Sequence, residues 1–238
     1  MPRTPLLGEF MGTLMMILLG DGVVAGVLLN RSKSHNSGWI VITAGWAFAV
    51  MCGVFTAVAF GGTGAINPVG PFTEMITGSR PVGDCLHLIA GEFLGAFAGA
   101  ILVWIHYLPH WPETNDAGAK LAVFCTGPAI RSQASNFVSE VIGTFALVFV
   151  ATAIGKAAAG KGLEPFLIGS LVWAIGLSLG GTTGYAINPA RDLSPRFAHA
   201  VLPIAGKGDS DWGYAWIPVV GPLAGGAIAA LLANTLSG

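Results

Sequence analysis

Two asparagine–proline pairs, Asn67-Pro68 and Asn188-Pro189, carry the most informative chemistry in this sequence. Asparagine is favoured at a helix N-cap and proline at the first helical position, so each pair predicts the start of a helix. A side-chain amide can orient a water or hydroxyl oxygen, but it cannot relay a proton as a carboxylate can. Each pair alone could be a helix cap and nothing more; two of them indicate a site for a neutral polar solute.

Three charged residues accompany these pairs. Arg191 directly follows the second pair, and a charge within an apolar segment indicates a functional site; the alternative is an arginine at a loop end that pairs with Asp192. Glu9 and Glu140 lie near the starts of two long apolar segments. Each could relay protons or accept N–H bonds from a loop, and we favour the second role because two copies are present.

Other classes of site are not indicated. The three cysteines have no CxxC spacing, and no histidines combine with a carboxylate at metal-ligand spacing, so we expect no metal and no cofactor. No HExxH motif occurs, and no constellation of a nucleophile with a base is indicated, so we predict no catalytic residue and no enzyme. A net charge of −1 without a basic run argues against a nucleic-acid partner.

The composition indicates a protein of the lipid bilayer. Charged residues make up 10% of the chain, where a soluble domain has about 25%, and mean hydropathy is +0.71. A helix needs about 20 residues to cross about 30 Å of hydrocarbon. Six segments approach this length, and we predict transmembrane helices at 6–29, 39–60, 82–107, 136–158, 163–179 and 214–236.

Two further apolar segments, 68–77 and 189–200, are too short to cross, and each begins within an Asn-Pro pair. Glycine-rich runs, GGTGAI and GGTTGYAI, precede them. Non-helical backbone at membrane depth survives only where it is buried in protein or lines a wet cavity. We therefore predict two re-entrant loops, each ending in a half-helix, around a pore or binding site.

The second half of the chain repeats the first in the same order. Glu9 in EFMGT matches Glu140 in EVIGT, and Asn67 in GAINP matches Asn188 in YAINP. Each half holds three spans, so the copies must have opposite orientations and the half-helix N-termini must meet near the midplane. Their partial positive charges would repel cations and hydronium. We predict one all-α membrane domain, 1–238, with an inverted 3+3 repeat whose copies cover about 1–108 and about 135–238.

With these features and the run NPARD from Asn188, the sequence resembles the major intrinsic proteins, the aquaporin and aquaglyceroporin family. The resemblance implies paired motifs at Asn67-Pro68-Val69 and Asn188-Pro189-Ala190. It also implies a homotetramer in the cell membrane with both termini cytoplasmic, an orientation that the distribution of basic residues weakly opposes. The first motif continues with Gly70-Pro71, and we expect this proline to free the Asn67 carbonyl by removing an N–H.

The same resemblance implies a selectivity filter with four walls. Three of them are Arg191, Tyr185 and Gly176, and the fourth comes from span two near Ala47, where we expect Phe48 or Trp46. Glycine at 176 is expected to leave the aperture wider than histidine would. Aromatic rings would contact the carbon atoms of a polyol while its hydroxyls face the arginine. Asp192, Arg196 and Pro218-Val219 resemble the glycerol-facilitator branch.

The function that follows from this resemblance is a passive channel for small uncharged solutes. We expect glycerol, and also water, urea, dihydroxyacetone, hydrogen peroxide and undissociated lactic acid. The alternative is a secondary active transporter with inverted repeats, for which the coupling-ion ligands could be Glu9, Glu140 and Asp21.

Two acidic residues have no acidic counterpart in the other half. Asp21 has glycine on both sides, and we expect it near the outer interface in contact with solvent rather than in a vestibule. In the second repeat, Pro222 occupies the position equivalent to Glu92. We expect Glu92 at a partly exposed helix end or in a contact between subunits.

Overall fold

The computed structural model describes residues 3–158 and 162–236, and within these ranges its regular elements are all helical. The ends of the predicted domain, 1–2 and 237–238, lie outside the described residues. The helices are α1 (Pro5–Leu28), α2 (Trp39–Ala59), α3 (Val69–Thr77), α4 (Val82–His106), α5 (Ala117–Phe124), α6 (Gln133–Ala158), α7 (Glu164–Ser178), α8 (Pro189–Val201) and α9 (Ile217–Thr235), with a 3₁₀ turn at Leu108–His110.

Five of these helices, α1, α2, α4, α6 and α9, are long and apolar enough to cross a membrane. The ends of all six predicted spans agree with the helices to within three residues. However, α7 has 15 residues and rises about 22 Å, less than the hydrocarbon thickness of about 30 Å. It ends early because Leu179, Gly180 and Gly181 belong to a non-helical stretch of chain.

Close helix contacts hold each repeat together at equivalent glycines. In the first repeat α4 packs on α1, and a Cβ at Gly95 would lie 2.2 Å from the Phe10 carbonyl oxygen. In the second, α9 packs on α6, and a Cβ at Gly225 would lie 2.3 Å from the Val141 oxygen. Small residues let helix backbones approach in this way in membranes, where no hydrophobic drive brings helices together.

The half-helices α3 and α8 follow two non-helical stretches of chain. We call residues 60–67 the first re-entrant segment and residues 179–188 the second. The residues before the asparagines, Ile66 and Ile187, both have φ of 43°, in the left-handed region that β-branched residues avoid. The surrounding structure must therefore hold this backbone in place.

Glu9 on α1 holds the first re-entrant segment. Its Oε1 accepts hydrogen bonds from the Thr63 backbone N–H (2.7 Å), the Thr63 hydroxyl (2.8 Å) and the Gly64 N–H (2.9 Å). Its Oε2 accepts one from the Ile66 N–H at 2.8 Å. The carboxylate thus provides acceptors for backbone groups that no helix or sheet satisfies.

Glu140 on α6 serves the second re-entrant segment in the same way. Its Oε1 accepts hydrogen bonds from the Thr183 hydroxyl at 2.7 Å and the Ala186 N–H at 3.0 Å, and its Oε2 from the Ile187 N–H at 2.9 Å. Both glutamates are buried. The repeat therefore supplies an equivalent acceptor carboxylate, Glu9 or Glu140, to each non-helical segment.

The start of α3 corrects one expectation. The Asn67 carbonyl is not freed by Pro71, because the Gly70 N–H donates to it at 2.9 Å. The bond from the third residue along the chain replaces the bond from the fourth, so a tighter first turn accommodates the proline.

The connection between the repeats contains a helix, α5, that the sequence analysis did not assign. Asp116 caps its N-terminus by accepting from the Ala119 N–H at 3.0 Å. After its end, the Thr126 N–H and hydroxyl both donate to Asp192 Oδ2 at 2.7 Å. This attachment to α8 brings the carbonyl of Phe124, the last residue of α5, close to Arg191.

We predict that Glu9→Gln and Glu140→Gln each lower the thermal stability of the purified protein and its solute flux. A glutamine places an NH₂ group where an oxygen accepts N–H bonds, and each lost partner costs about 1 to 3 kcal/mol. The measurement is thermal unfolding in detergent, followed by flux in proteoliposomes. Glu113→Gln is the control, because Glu113 forms an exposed ion pair with Arg31 that should contribute little. Equal stability of all three variants would contradict the anchoring role.

Candidate functional site

A cavity of about 380 Å³ lies where the two half-helices meet. Its wall includes Arg191 on α8, on one side of the meeting point, and Thr73 and Glu74 on α3, on the other. Apolar side chains from α1, α2, α6 and α7 form much of the rest. Among the described residues, no three His, Cys, Asp or Glu side chains cluster as metal ligands would.

The two asparagines lie at the centre and bond across the repeat interface. The Asn67 amide nitrogen donates to the Ile187 carbonyl at 2.8 Å, and that of Asn188 donates to the Ile66 carbonyl at 2.9 Å. Each side-chain oxygen accepts from the first turn of its own half-helix. An amide NH₂ has two donors, so each asparagine keeps one N–H beyond this crossed pair.

Arg191 lies 7% exposed at the wall of the cavity. Its Cζ lies 4.1 Å from the centroid of the Trp46 ring, in cation–π geometry. Its Nη1 is 3.4 Å from the Phe124 carbonyl oxygen and 3.6 Å from Asp21 Oδ1. The guanidinium is thus held on three sides.

Arg191 does not pair with Asp192, the alternative considered from the sequence. Asp192 instead forms an ion pair with Arg196. The Arg196 Nε donates to Asp192 Oδ1 at 2.9 Å, and its Nη2 donates to Asp192 Oδ2 at 3.1 Å. This second pair is fully buried, and it also fixes the loops around Thr126 and Ser210 through their carbonyls. Arg191 therefore lines the cavity, whereas Arg196 holds the surrounding loops in place.

Of the two aromatics expected from span two, Trp46 lies at the cavity and Phe48 does not. Trp46 is 4% exposed, whereas Phe48 is 54% exposed on the outer surface of the helix. Two residues along an α-helix are about 200° apart, so only one of the two can face inward. The Phe48 assignment is corrected.

Gly176 lies directly against the ring of Tyr185. A Cβ at this position would lie 2.8 Å from Tyr185 Cζ and 3.0 Å from Thr43 Cγ2, so the Tyr185 ring already fills the space a side chain would need. Trp39 braces the same contact, since its Nε1 donates to the Gly176 carbonyl at 3.1 Å and its ring packs edge-on against Tyr185. The absence of a side chain at Gly176 thus makes room for the Tyr185 ring, and Tyr185 lines the cavity.

Two acidic residues lie elsewhere than the sequence suggested. Asp21 is fully buried beside Arg191 and not in contact with solvent. Glu92 is also fully buried, and its Oε1 accepts from the Asn67 backbone N–H at 3.1 Å. A charged residue far inside an apolar helix was the available signal, because such residues usually face the interior of a bundle.

The arrangement suits the passage of a neutral polar molecule. N–H groups of the asparagines and of Arg191 can replace the hydrogen bonds that a solute loses on leaving water, while aromatic and aliphatic walls contact its carbon atoms. The half-helix N-termini add partial positive charge at the centre, which disfavours cations.

Comparison with known proteins identifies relatives of this chain. The family model described as "Major intrinsic protein" matches residues 3–233. The chain is 56% identical over 231 residues to "Glycerol uptake facilitator protein 3" of Lactiplantibacillus plantarum, which covers 97% of this chain and 96% of that protein. It is 39% identical over 229 residues to the "D/L-lactic acid transporter" of the same organism, with 94% of each chain covered.

A solved structure shares the fold. The X-ray structure of the aquaglyceroporin from Plasmodium falciparum superposes with a TM-score of 0.83 and 23% identity, covering 98% of this chain and 96% of that one. Since the family model spans nearly the whole sequence and a relative is identical at more than half of the aligned positions, the chain belongs to the major intrinsic protein family of multi-pass membrane channels.

Proposed function

We propose that this protein is a passive membrane channel for glycerol and other small uncharged solutes. The observation that carries the proposal is the cavity between the half-helices, with the amides of Asn67 and Asn188 at its centre and Arg191, Trp46 and Tyr185 together at one side. Transport of glycerol down its gradient into proteoliposomes, measured by light scattering, tests it.

The names of the relatives support glycerol first and lactic acid second. Besides the 56% identical glycerol uptake facilitator, a "Probable glycerol uptake facilitator protein" of Thermotoga maritima is 54% identical over 230 residues. The lactic acid transporter is more distant, at 39% identity. Water, urea, dihydroxyacetone and hydrogen peroxide are smaller than or similar in size to glycerol, and they belong to the same proposal.

The proposed filter is formed by Arg191, Trp46 and Tyr185, with Gly176 behind the tyrosine. Arg191 donates hydrogen bonds to solute hydroxyls while the Trp46 and Tyr185 rings contact the carbon side. At the centre of the cavity, the remaining side-chain N–H groups of Asn67 and Asn188 donate hydrogen bonds to the solute once it has passed the filter. Pro68, Val69, Pro189 and Ala190 have a supporting role, because they form the first turns of the half-helices.

Ion-coupled transport is the weaker alternative, because the carboxylates it needs are engaged. Glu9 and Glu140 accept three to four hydrogen bonds each from the re-entrant segments. Asp21 lies against Arg191. A coupling ion would have to displace these partners, so a passive channel without catalytic activity is the simpler function.

Assembly and orientation follow the family in this proposal. We place the protein in the cell membrane as a homotetramer with both termini cytoplasmic, each chain (1–238) forming one channel from its repeats at about 1–108 and about 135–238. Large apolar side chains such as Phe48, Phe55 and Ile228 are exposed in the single chain and suit contact with lipid or a neighbouring subunit.

We predict that Gly176→Ala lowers glycerol flux about fivefold, equivalent to about 1 kcal/mol of barrier, and lowers water flux less. The added Cβ would collide with the Tyr185 ring, which must shift toward the cavity. Stopped-flow swelling with both solutes measures the two fluxes. Gly181→Ala is the matched control, because a Cβ there meets nothing within 4 Å. An unchanged glycerol flux in a folded Gly176→Ala protein would show that the contact between Gly176 and Tyr185 does not set the width of the filter.

Lactic acid should cross in its neutral form, because dehydrating the anion between apolar walls costs more than the positive groups return. With a carboxyl pKa near 4, by analogy with side-chain carboxyls, lowering pH from 7 to 5 raises the neutral fraction about a hundredfold. Channel-mediated lactic acid flux at fixed total lactate should rise in proportion, while glycerol flux stays constant. Flux into protein-free liposomes is subtracted as the control. A pH-independent flux that carries current would show that the anion passes.

A further inference from the structure

Asp21 is a buried carboxylate beside the arginine of the cavity. It is fully buried in α1, and neither of its oxygens accepts a hydrogen bond within the part of the chain that the structure describes. Its Oδ1 lies 3.6 Å from Arg191 Nη1, in ion-pair range. An uncompensated buried charge is strongly destabilising, so the guanidinium is the partner that makes a carboxylate tolerable here.

Two other residues of α1 lie close to the cavity or the filter. Met16, five residues before Asp21 and therefore about 140° around the helix from it, lines the cavity. A Cβ at Gly20 would lie 2.4 Å from the Trp46 ring, so this glycine lets the ring lie directly against α1. The neighbouring positions Gly20 and Asp21 of α1 thus contact Trp46 and Arg191, although the resemblance to the family implied no filter wall from this helix.

The repeat provides an independent indication that this position lies close to the pathway. With Glu9 and Glu140 as a matched pair, Met16 corresponds to Leu147 and Asp21 to Thr152. Leu147 and Thr152 both line the cavity from α6. The equivalent position therefore lies close to the pathway in both repeats. Thr152 lines the cavity directly, whereas Asp21 does not line it and instead contacts Arg191, which does.

We propose that Asp21 is a positioning and charge-compensating residue for Arg191. It holds the guanidinium back against the Trp46 ring and cancels its charge, so that the filter offers hydrogen-bond donors to hydroxyls without attracting anions. The proposal rests on the proposed function in one respect, namely that solutes pass Arg191.

The physical argument concerns the sum of fixed charges around the cavity. The half-helix N-termini contribute partial positive charge, and Arg191 adds a full one. Glu74, on the other side of the meeting point, is already paired with Arg80. Without Asp21, the charge of Arg191 would have no such partner, and a weakly screened cavity would concentrate anions. With Asp21 at 3.6 Å, the passing solute meets a dipole in place of a net charge.

The test uses Asp21→Asn, which keeps the shape and removes the charge. We expect its ratio of glycerol flux to water flux to fall about tenfold, equivalent to about 1.4 kcal/mol, as the untethered Arg191 extends into the passage. In planar bilayers under a nitrate gradient at pH 7, the variant should carry an anion current that the wild type lacks. Asp21→Glu should stay close to wild type in both measurements, because it keeps the charge.

Thr13→Val is the matched control, since Thr13 is another fully buried polar residue of α1 whose hydroxyl has no hydrogen-bond partner in the described structure. It should leave the flux ratio and the current unchanged. In an Arg191→Val background, adding Asp21→Asn should no longer alter the flux ratio, because the effect acts through the arginine. Should Asp21→Asn fail to fold, recovery of folded protein in this double variant would support the pairing, and no recovery would refute it.

Two results would overturn the proposal. One is a folded Asp21→Asn protein with the wild-type flux ratio and no anion current; the other is an equal change in the ratio with and without Arg191. Failure of the proposed function looks different, since the wild type would then not conduct glycerol above protein-free liposomes. The nitrate current still reports on Asp21 in that case.

Discussion

Backbone polar groups inside a membrane must find partners within the protein, and this requirement governs the structure around the pathway. Most of the chain meets it by forming helices. The two re-entrant segments cannot, and Glu9 and Glu140 provide the acceptors that they lack. Because these segments are satisfied from the side of the scaffold, the half-helix N-termini and the asparagine amides remain available to the cavity.

The two repeats share their helix packing and their central asparagine bonds, and they differ at the proposed filter. Equivalent glycines pack α4 on α1 and α9 on α6, and equivalent asparagines bond across the interface. Differences gather on the second half-helix, where Arg191 faces the cavity and the Asp192–Arg196 pair fixes the surrounding loops. A symmetric scaffold therefore carries an asymmetric filter.

The sequence predicted the features that depend on local pattern, and it failed where a side chain's direction decides. Span lengths, the Asn-Pro helix starts and the repeat were readable from composition and order. Trp46 and Phe48 could not be separated, because span two is apolar on every face and gives no helical register. Asp21 was placed in solvent for the same reason, and α5 was missed because eight residues carry too little periodicity. The role of Gly176 depends on a contact with Tyr185 that spacing alone does not reveal.

The crossed bonds between Asn67 and the Ile187 carbonyl, and between Asn188 and the Ile66 carbonyl, also bear on how the chain is made. During synthesis the first repeat leaves the ribosome long before the second. Until α6 to α8 have entered the bilayer, the Ile66 carbonyl lacks the Asn188 amide that donates to it, and α3 has no opposing half-helix. Although Glu9 of the same repeat already accepts from the Thr63, Gly64 and Ile66 N–H groups, the first re-entrant segment can complete its contacts only after the second repeat has entered the bilayer.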